Sequence, residues 1–313
     1  MVGLAIRKIR EKVQIATKFS PENSEYGSVL KSAENSLKRL KTDYIDLYQV
    51  HWPNPTIPMS ETFAALIKLK EQEKIRAIGV CNFSKSELEH AIKITGDDVI
   101  VSNQVEYNLL DRYIELEILP FCIKNKIKVL AYSPLDKGRI FPNEKSKIIL
   151  SGLSYRLNKT PSQILLSWIT KSNHCIAIPK SGSISHLEIN SGSLSLDLSK
   201  SDVDLISENC RMPIELIAPN NINVSEFGEE SRKVYRTLEE AEKNHLELCP
   251  SPSQLAMQFK NGENIKPVRI IRTQSATSNC TFDLIEGRLR YWAWVIAFGK
   301  NLPIPCYIRE TQI

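Results

Sequence analysis

Several things are missing from this 313-residue chain. No apolar run approaches the roughly 20 residues that a membrane-spanning helix needs, so a membrane is not an expected partner. The seven cysteines, Cys81, Cys122, Cys175, Cys210, Cys249, Cys280 and Cys306, contain no C-x-x-C pair. An odd, scattered set in a chain this long reads as reduced thiols in a cytoplasmic protein, mostly acting as small buried hydrophobes, and no metal site is expected. The N-terminal stretch Gly3-Leu4-Ala5-Ile6-Arg7-Lys8-Ile9-Arg10 threads charge through its apolar residues and offers no small-residue cleavage site, so no signal peptide is read there. A dense positive field is also lacking. The net charge is +5, and residues 212–313 hold 12 basic against 12 acidic side chains, so the excess lies wholly upstream. Nucleic acid is therefore not indicated as a partner.

What is present is ordinary for a globular protein: 42% hydrophobic and 25% charged residues, enough to bury a core. The length suits two domains, or one barrel with an appendage. Over the first two thirds, short apolar runs at Val13–Lys18, Tyr44–His51, Arg76–Val80, Val99–Gln104, Lys128–Tyr132 and Cys175–Pro179 alternate with helical patterns near 28–40, 60–73, 85–94, 113–125, 161–171 and 183–190. Continuous rather than alternating apolar runs are those of parallel strands covered on both faces. Ser84-Lys85-Ser86-Glu87 has the form of a capping box, and Thr160-Pro161 places a cap and then proline at the first helical position. Six such strand–helix units are too few to close an eight-stranded barrel.

The rhythm changes near residue 211, which we take as the boundary between a segment 1–210 and a smaller α+β module, 211–313. In the latter a strand near Ile214–Ile217 and a turn at Ala218–Asn221 precede a polar helical stretch at about 229–247. A helix near 253–261, strands at Val268–Arg272 and Phe282–Ile285, a helix at Leu289–Phe298 and a strand near Ile304–Ile308 complete it.

The strand ends carry a series of motifs. Ile15-Ala16-Thr17-Lys18, Asp43-Tyr44-Ile45-Asp46-Leu47-Tyr48-Gln49-Val50-His51-Trp52-Pro53, Ile78-Gly79-Val80-Cys81-Asn82-Phe83, Asn103-Gln104-Val105-Glu106-Tyr107-Asn108, Ala131-Tyr132-Ser133-Pro134-Leu135 and Ile178-Pro179-Lys180-Ser181 follow one another in that order. Together they resemble the successive strand-end motifs of the aldo-keto reductases, over residues 1 to about 208. The resemblance implies a (β/α)8 TIM barrel, here incomplete with six βα units and without its first two, that reduces small carbonyls, or oxidises alcohols, by hydride transfer with NADP(H).

In that family the catalytic set is Asp, Tyr, Lys and His. A carbonyl that accepts hydride becomes an alkoxide and needs a proton, and a phenol with its usual pKa of about 10 is a poor acid at neutral pH. A neighbouring ammonium held by a carboxylate improves it, while an imidazole orients the substrate oxygen. The resemblance places the lysine at Lys18 and the histidine at His51. The Asp and Tyr positions would lie upstream of Met1, so the chain as written is expected to be impaired, and Tyr26 is a conceivable but less favoured substitute acid. For the cofactor, the resemblance assigns Cys81 (where Ser is common), Asn82 and Gln104 to the nicotinamide carboxamide and Tyr132 to stacking on the ring. It assigns Ser133, Leu135 and Lys137 to the loop over the pyrophosphate, Lys180 and Ser181 to the 2′-phosphate, and Asn190 to adenine. His186 stands where the family usually has Arg and Ile189 where it often has Glu. Imidazole replaces a guanidinium poorly, so weak NADP(H) binding is implied.

Farther on, Phe282-Asp283-Leu284-Ile285-Glu286-Gly287-Arg288-Leu289-Arg290-Tyr291-Trp292-Ala293-Trp294 with Pro303-Ile304-Pro305 resembles the ParB/sulfiredoxin-like domains, which carry a strand, a G-x-x-R turn and a helix. A helix N-terminus suits phosphate, which makes Gly287 and Arg290 candidate phosphate-binding residues. Leu289 stands where that family has His or Arg, and the alternative is that Arg288 and Arg290 are solvated cations at a helix start.

Two functions remain open on the sequence: an NADP(H)-dependent oxidoreductase, impaired as given, or a catalytically silent nucleotide-binding or regulatory protein derived from one. A barrel short of two strands would leave open edges at Val13–Lys18 and Cys175–Pro179 and expose Val13 or Ile15, so self-association is expected.

Overall fold

The computed structural model describes residues 2–224, 235–273 and 280–309. The chain forms two compact units, one of Met1–Asn108, Ile114–Pro134 and Leu165–Asp197, the other of Leu109–Tyr113, Leu135–Ile164 and Leu198–Ile313. No described helix is long and apolar enough to cross a membrane.

The first unit is built on a six-stranded sheet of β1 (Ala16–Phe19), β2 (Ile45–Val50), β3 (Ile75–Cys81), β4 (Ile100–Glu106), β5 (Lys128–Tyr132) and β6 (Cys175–Ala177). The strands pair in chain order, all parallel. The six strands expected from the apolar runs are thus present, as an α/β parallel sheet. β1 and β6 form its two edges. Helices Tyr26–Leu40, Met59–Glu71, Lys85–Thr95 and Ile118–Lys124 follow the first, second, third and fourth strands. The first three present Val29, Ala33 and Leu37, then Phe63, Leu66 and Leu69, then Leu88 and Ala91, as buried faces. That spacing of three and four is the apolar stripe of a helix lying on a sheet. The capping box read at Ser84 is formed in both directions: Glu87 N donates to Ser84 Oγ (3.3 Å) and Ser84 N to Glu87 Oε2 (2.8 Å).

The edge at β1 differs from expectation. Ile15 is buried and Val13 half-buried. The Ile15 N–H donates to Asp46 Oδ2 (2.9 Å), and Arg10 ties the same carboxylate (2.8 Å) to the carbonyl of Val13 (3.0 Å). The exposed apolar residues of the sheet lie instead at β6 and beyond, at Ile176, Ile178, Ile184, Leu187 and Leu194. The N-terminal stretch holds a short helix at Val2–Ala5 and a 3-10 turn at Arg10–Lys12.

The second unit holds a five-stranded mixed sheet in the order β7-β11-β9-β10-β8, with β7 at Glu215–Ile217, β8 at Ile222–Asn223, β9 at Val268–Arg272, β10 at Phe282–Glu286 and β11 at Ile304–Arg309. Helix Arg288–Phe298 packs Tyr291, Trp292 and Val295 into its core with Phe259, Val268 and Leu284. The buried ring hydrogens find partners: Trp292 Nε1 donates to the Tyr235 carbonyl (3.0 Å) and Tyr291 OH to that of Pro219 (3.1 Å). The polar stretch read at 229–247 gives a helix at Leu238–Glu242, and residues 229–234 lie outside the described ones. Helices Glu144–Leu157 and Lys200–Asn209 were not expected from periodicity. Their caps, Asn143 accepting from Ser146 N and Ser199 from Asp202 N, are the local signals that mark them.

Candidate active site

Parallel strands of one sheet place their C-terminal ends side by side, which is where a barrel assembles its chemistry. Register does the rest. Lys18 on β1 lies opposite Gln49 on β2, Gln49 opposite Gly79 on β3, and Gly79 opposite Ser102 on β4. These four positions form one row across the sheet. Gln104, two residues beyond Ser102, shares its face.

The side chains in and beside this row are joined. Lys18 Nζ donates to Gln104 Oε1 (3.2 Å), and Gln49 Nε2 donates to the same oxygen (3.0 Å). Ser102 Oγ reaches Gln49 Oε1 (3.5 Å). Gly79 makes the arrangement feasible, since a methyl group there would stand 2.4 Å from Ser102 Oγ and 3.1 Å from Gln49 Cγ. Past the strand ends, Asn82 adopts a left-handed φ of 61°, a conformation asparagine tolerates better than most residues. Its Nδ2 donates to the His51 carbonyl (3.1 Å), and its Oδ1 accepts from Tyr132 OH (3.2 Å). One amide thereby ties the ends of β2, β3 and β5 together.

Electrostatics follow from this crowding. Burial, then the Lys18 ammonium, push the His51 imidazole below its ordinary value, with Glu22 opposing. The Glu22 carboxyl is held low by a hydrogen bond from Ser20, then by its own backbone N–H, with His51 adding to the effect. Burial pushes the Cys81 thiol up to about 12 despite the pull of Lys18, which leaves it a packing residue and not a nucleophile.

The expected site residues therefore divide. Lys18, His51, Cys81, Asn82, Gln104 and Tyr132 are brought together. Ser133 follows directly, with a φ of 49° and its carbonyl accepting from Asn108 Nδ2 (3.1 Å). Lys180 and His186 are exposed and Asn190 half-buried, on and before helix Ile184–Ser191. The Ser181 hydroxyl is engaged in a turn, accepting from Ser183 N (3.0 Å) and reaching the Ser183 carbonyl (3.1 Å). Leu135 and Lys137 belong to the second unit, where Lys137 is exposed with a φ of 58°. Tyr26 opens helix Tyr26–Leu40, partly exposed, its N–H donating to Glu61 Oε1 (2.9 Å). Gln49 and Ser102 were missed by sequence reading. A polar residue inside an otherwise apolar strand is the signal that marks each.

In the second unit, Gly287 caps helix Arg288–Phe298 with a φ of 102°. The Arg290 guanidinium folds back over it and donates to the carbonyls of Lys266 (2.9 Å) and Pro267 (3.1 Å). The alternative of a solvated Arg290 does not hold, because the side chain is part of the turn's own packing.

Comparison with known proteins is consistent with this geometry. The model of the aldo/keto reductase family matches residues 1–210. The chain belongs to that family. It is 34% identical over 209 residues to methylglyoxal reductase YeaE of Escherichia coli, a match covering 66% of the chain and 73% of that protein. It is 35% identical over 208 residues to glyoxal reductase of Bacillus subtilis, covering 66% and 72%. Among solved structures, the thermostable aldo-keto reductase Tm1743 in complex with the inhibitor epalrestat superposes with a TM-score of 0.63 at 40% identity, over 66% of this chain and 75% of that one. An aldo/keto reductase from Klebsiella pneumoniae in complex with NADP and acetate gives 0.62 at 34%, over 66% and 73%.

Proposed function

We propose that the family portion, residues 1–210, is an NADP(H)-binding carbonyl oxidoreductase whose turnover is impaired in this 313-residue chain. The observation that carries the reading is the convergence of Lys18, His51, Asn82, Gln104 and Tyr132 at neighbouring strand ends. They fit a nicotinamide nucleotide chemically: two amide side chains for a carboxamide, a half-exposed aromatic ring, and beyond β6 an exposed lysine beside a hydroxyl for a phosphate dianion. When bound, NADPH would supply the hydride. Lys18 would stabilise negative charge on the carbonyl oxygen, and His51, kept neutral by burial and by Lys18, would hold that oxygen by a hydrogen bond.

The impairment rests on the partner of Lys18. Among the described residues its ammonium donates to an amide oxygen and to no phenol, so no tyrosine is activated as an acid there. General acid catalysis typically supplies about 10²–10⁴-fold. Small dicarbonyls such as those naming the relatives are the substrates to try. The same observation favours the second reading, a nucleotide-binding protein without turnover. NADPH should saturate the protein weakly in a fluorescence titration, and Lys180→Ala should loosen NADPH more than NADH. NADPH oxidation with methylglyoxal and glyoxal should run about 10²–10⁴-fold below the Escherichia coli relative assayed alongside. Fast turnover abolished by Tyr26→Phe would overturn the impairment and make Tyr26 the acid. No binding at millimolar nucleotide would overturn the cofactor assignment.

For residues 211–313 we propose the ParB/sulfiredoxin-like reading, supported by the run of β10, a left-handed Gly287 and helix Arg288–Phe298. The engagement of Arg290 with two carbonyls favours a structural role there over phosphate binding.

A further inference from the structure

Gln49 lies within a strand-end motif but has no role assigned above, yet it is completely buried in the middle of the polar row. A buried amide in an apolar strand costs free energy unless its donors and acceptors are used. Here they are used asymmetrically. Its Nε2 donates to Gln104 Oε1, and its Oε1 faces the Ser102 hydroxyl.

The asymmetry settles the orientation of the neighbouring amide. Lysine can only donate hydrogen bonds, so the Gln104 atom 3.2 Å from Lys18 Nζ must be its oxygen. The Gln49 NH2 group, 3.0 Å from that same atom, imposes the same choice from the opposite side. Turning the Gln104 amide over would set its NH2 against both an ammonium and another NH2. The Gln49 Oε1 accepts from the Ser102 hydroxyl (3.5 Å), and the absent side chain of Gly79 leaves room for the pair. We propose that Gln49 is a positioning residue: it locks the amide of Gln104 and thereby the acceptor that aims the Lys18 ammonium. It touches the nicotinamide end of the site through Gln104 alone, and the nucleotide arm of the test below rests on the cofactor reading given above.

Two measurements separate the ideas. Competitive acetylation with acetic anhydride, read by mass spectrometry, reports the state of Lys18 with no nucleotide present. In Gln49→Leu, Lys18 should label about threefold faster or more, while the exposed Lys31 and Lys38 keep their rates. The second measurement compares NADPH with 2′,5′-ADP, which lacks the nicotinamide end. Losing one oriented hydrogen bond should weaken NADPH about tenfold and leave 2′,5′-ADP unchanged. A merely structural role would move both ligands together. Should Gln49→Leu fail to fold, Gln49→Met keeps the length of the side chain, adds no charge and has no NH2 to give, and it should shift Lys18 in the same way. Unaltered Lys18 labelling in a folded variant overturns the proposal. Absent NADPH binding by the unmodified protein overturns the cofactor reading instead, and the labelling still decides the role of Gln49.

Discussion

Gly79 lies directly beneath Ser102: a methyl group on residue 79 would come within 2.4 Å of the serine oxygen. Glycine is required here by space, since two buried polar side chains from flanking strands occupy what would be its Cβ position. Gly79→Ala should therefore destabilise the protein by about 1–3 kcal/mol, the usual cost of overpacking a core. Gly152, in helix Glu144–Leu157, would meet nothing within 4 Å on gaining a Cβ. Gly152→Ala should be stabilising by about 0.5–1 kcal/mol, because it removes backbone freedom from the unfolded chain. Urea midpoints of the two variants should move in opposite directions.

His51 gives the site a pH dependence of definite sign. Its imidazole titrates below the ordinary value of 6.5, because burial first and Lys18 second disfavour the charged form. Below pH 6.5 the unfolded chain takes up a proton that the native site resists, so stability present above that window is lost as pH falls through it. The imidazole proton resonances should show a midpoint that rises in Lys18→Met and falls further in Glu22→Gln. Identical midpoints in all three proteins would contradict the contact.

Asp136 anchors a buried charge cluster in the second unit. The carboxylate is 1% exposed and pairs with Arg309 (2.8 Å), Arg139 (2.9 Å) and, more distantly, Arg269 (3.6 Å). Its φ of 40° is one that Asn also tolerates, so Asp136→Asn removes the charge with little backbone strain. Guanidinium groups left buried without their counter-charge should cost about 3–5 kcal/mol. Asp136→Asn combined with Arg309→Met should cost less than the two single changes added, as measured by a double-mutant cycle in urea.

Self-association is expected through the β6 edge. Ile176 and Ile178 are exposed on that strand and the loop after it, and the following helix Ile184–Ser191 buries no residue while exposing Ile184 and Leu187. Light scattering should report a dimer or larger species, and Ile176→Lys, which places charge on the open edge, should shift it toward monomer. A monomeric unmodified protein at high concentration would exclude the idea.

Much of this was legible in the amino-acid order. Continuous apolar runs determined six parallel strands, and Ser84 and Glu87 determined a helix start, because each depends on neighbours along the chain; Lys18, His51, Asn82, Gln104 and Tyr132 were picked out by the family resemblance of the strand-end motifs. Other features depend on partners distant in sequence. Register alone puts Lys18, Gln49, Gly79 and Ser102 in one row, which turns an unremarked glutamine into the hinge of the polar network and a glycine into a necessity. It is likewise the fold that binds Arg290 to the carbonyls of Lys266 and Pro267, and that buries Ile15 by way of Arg10 and Asp46. A side chain's type is written in the sequence, but which atoms satisfy it once water is removed is decided by segments that meet only on folding.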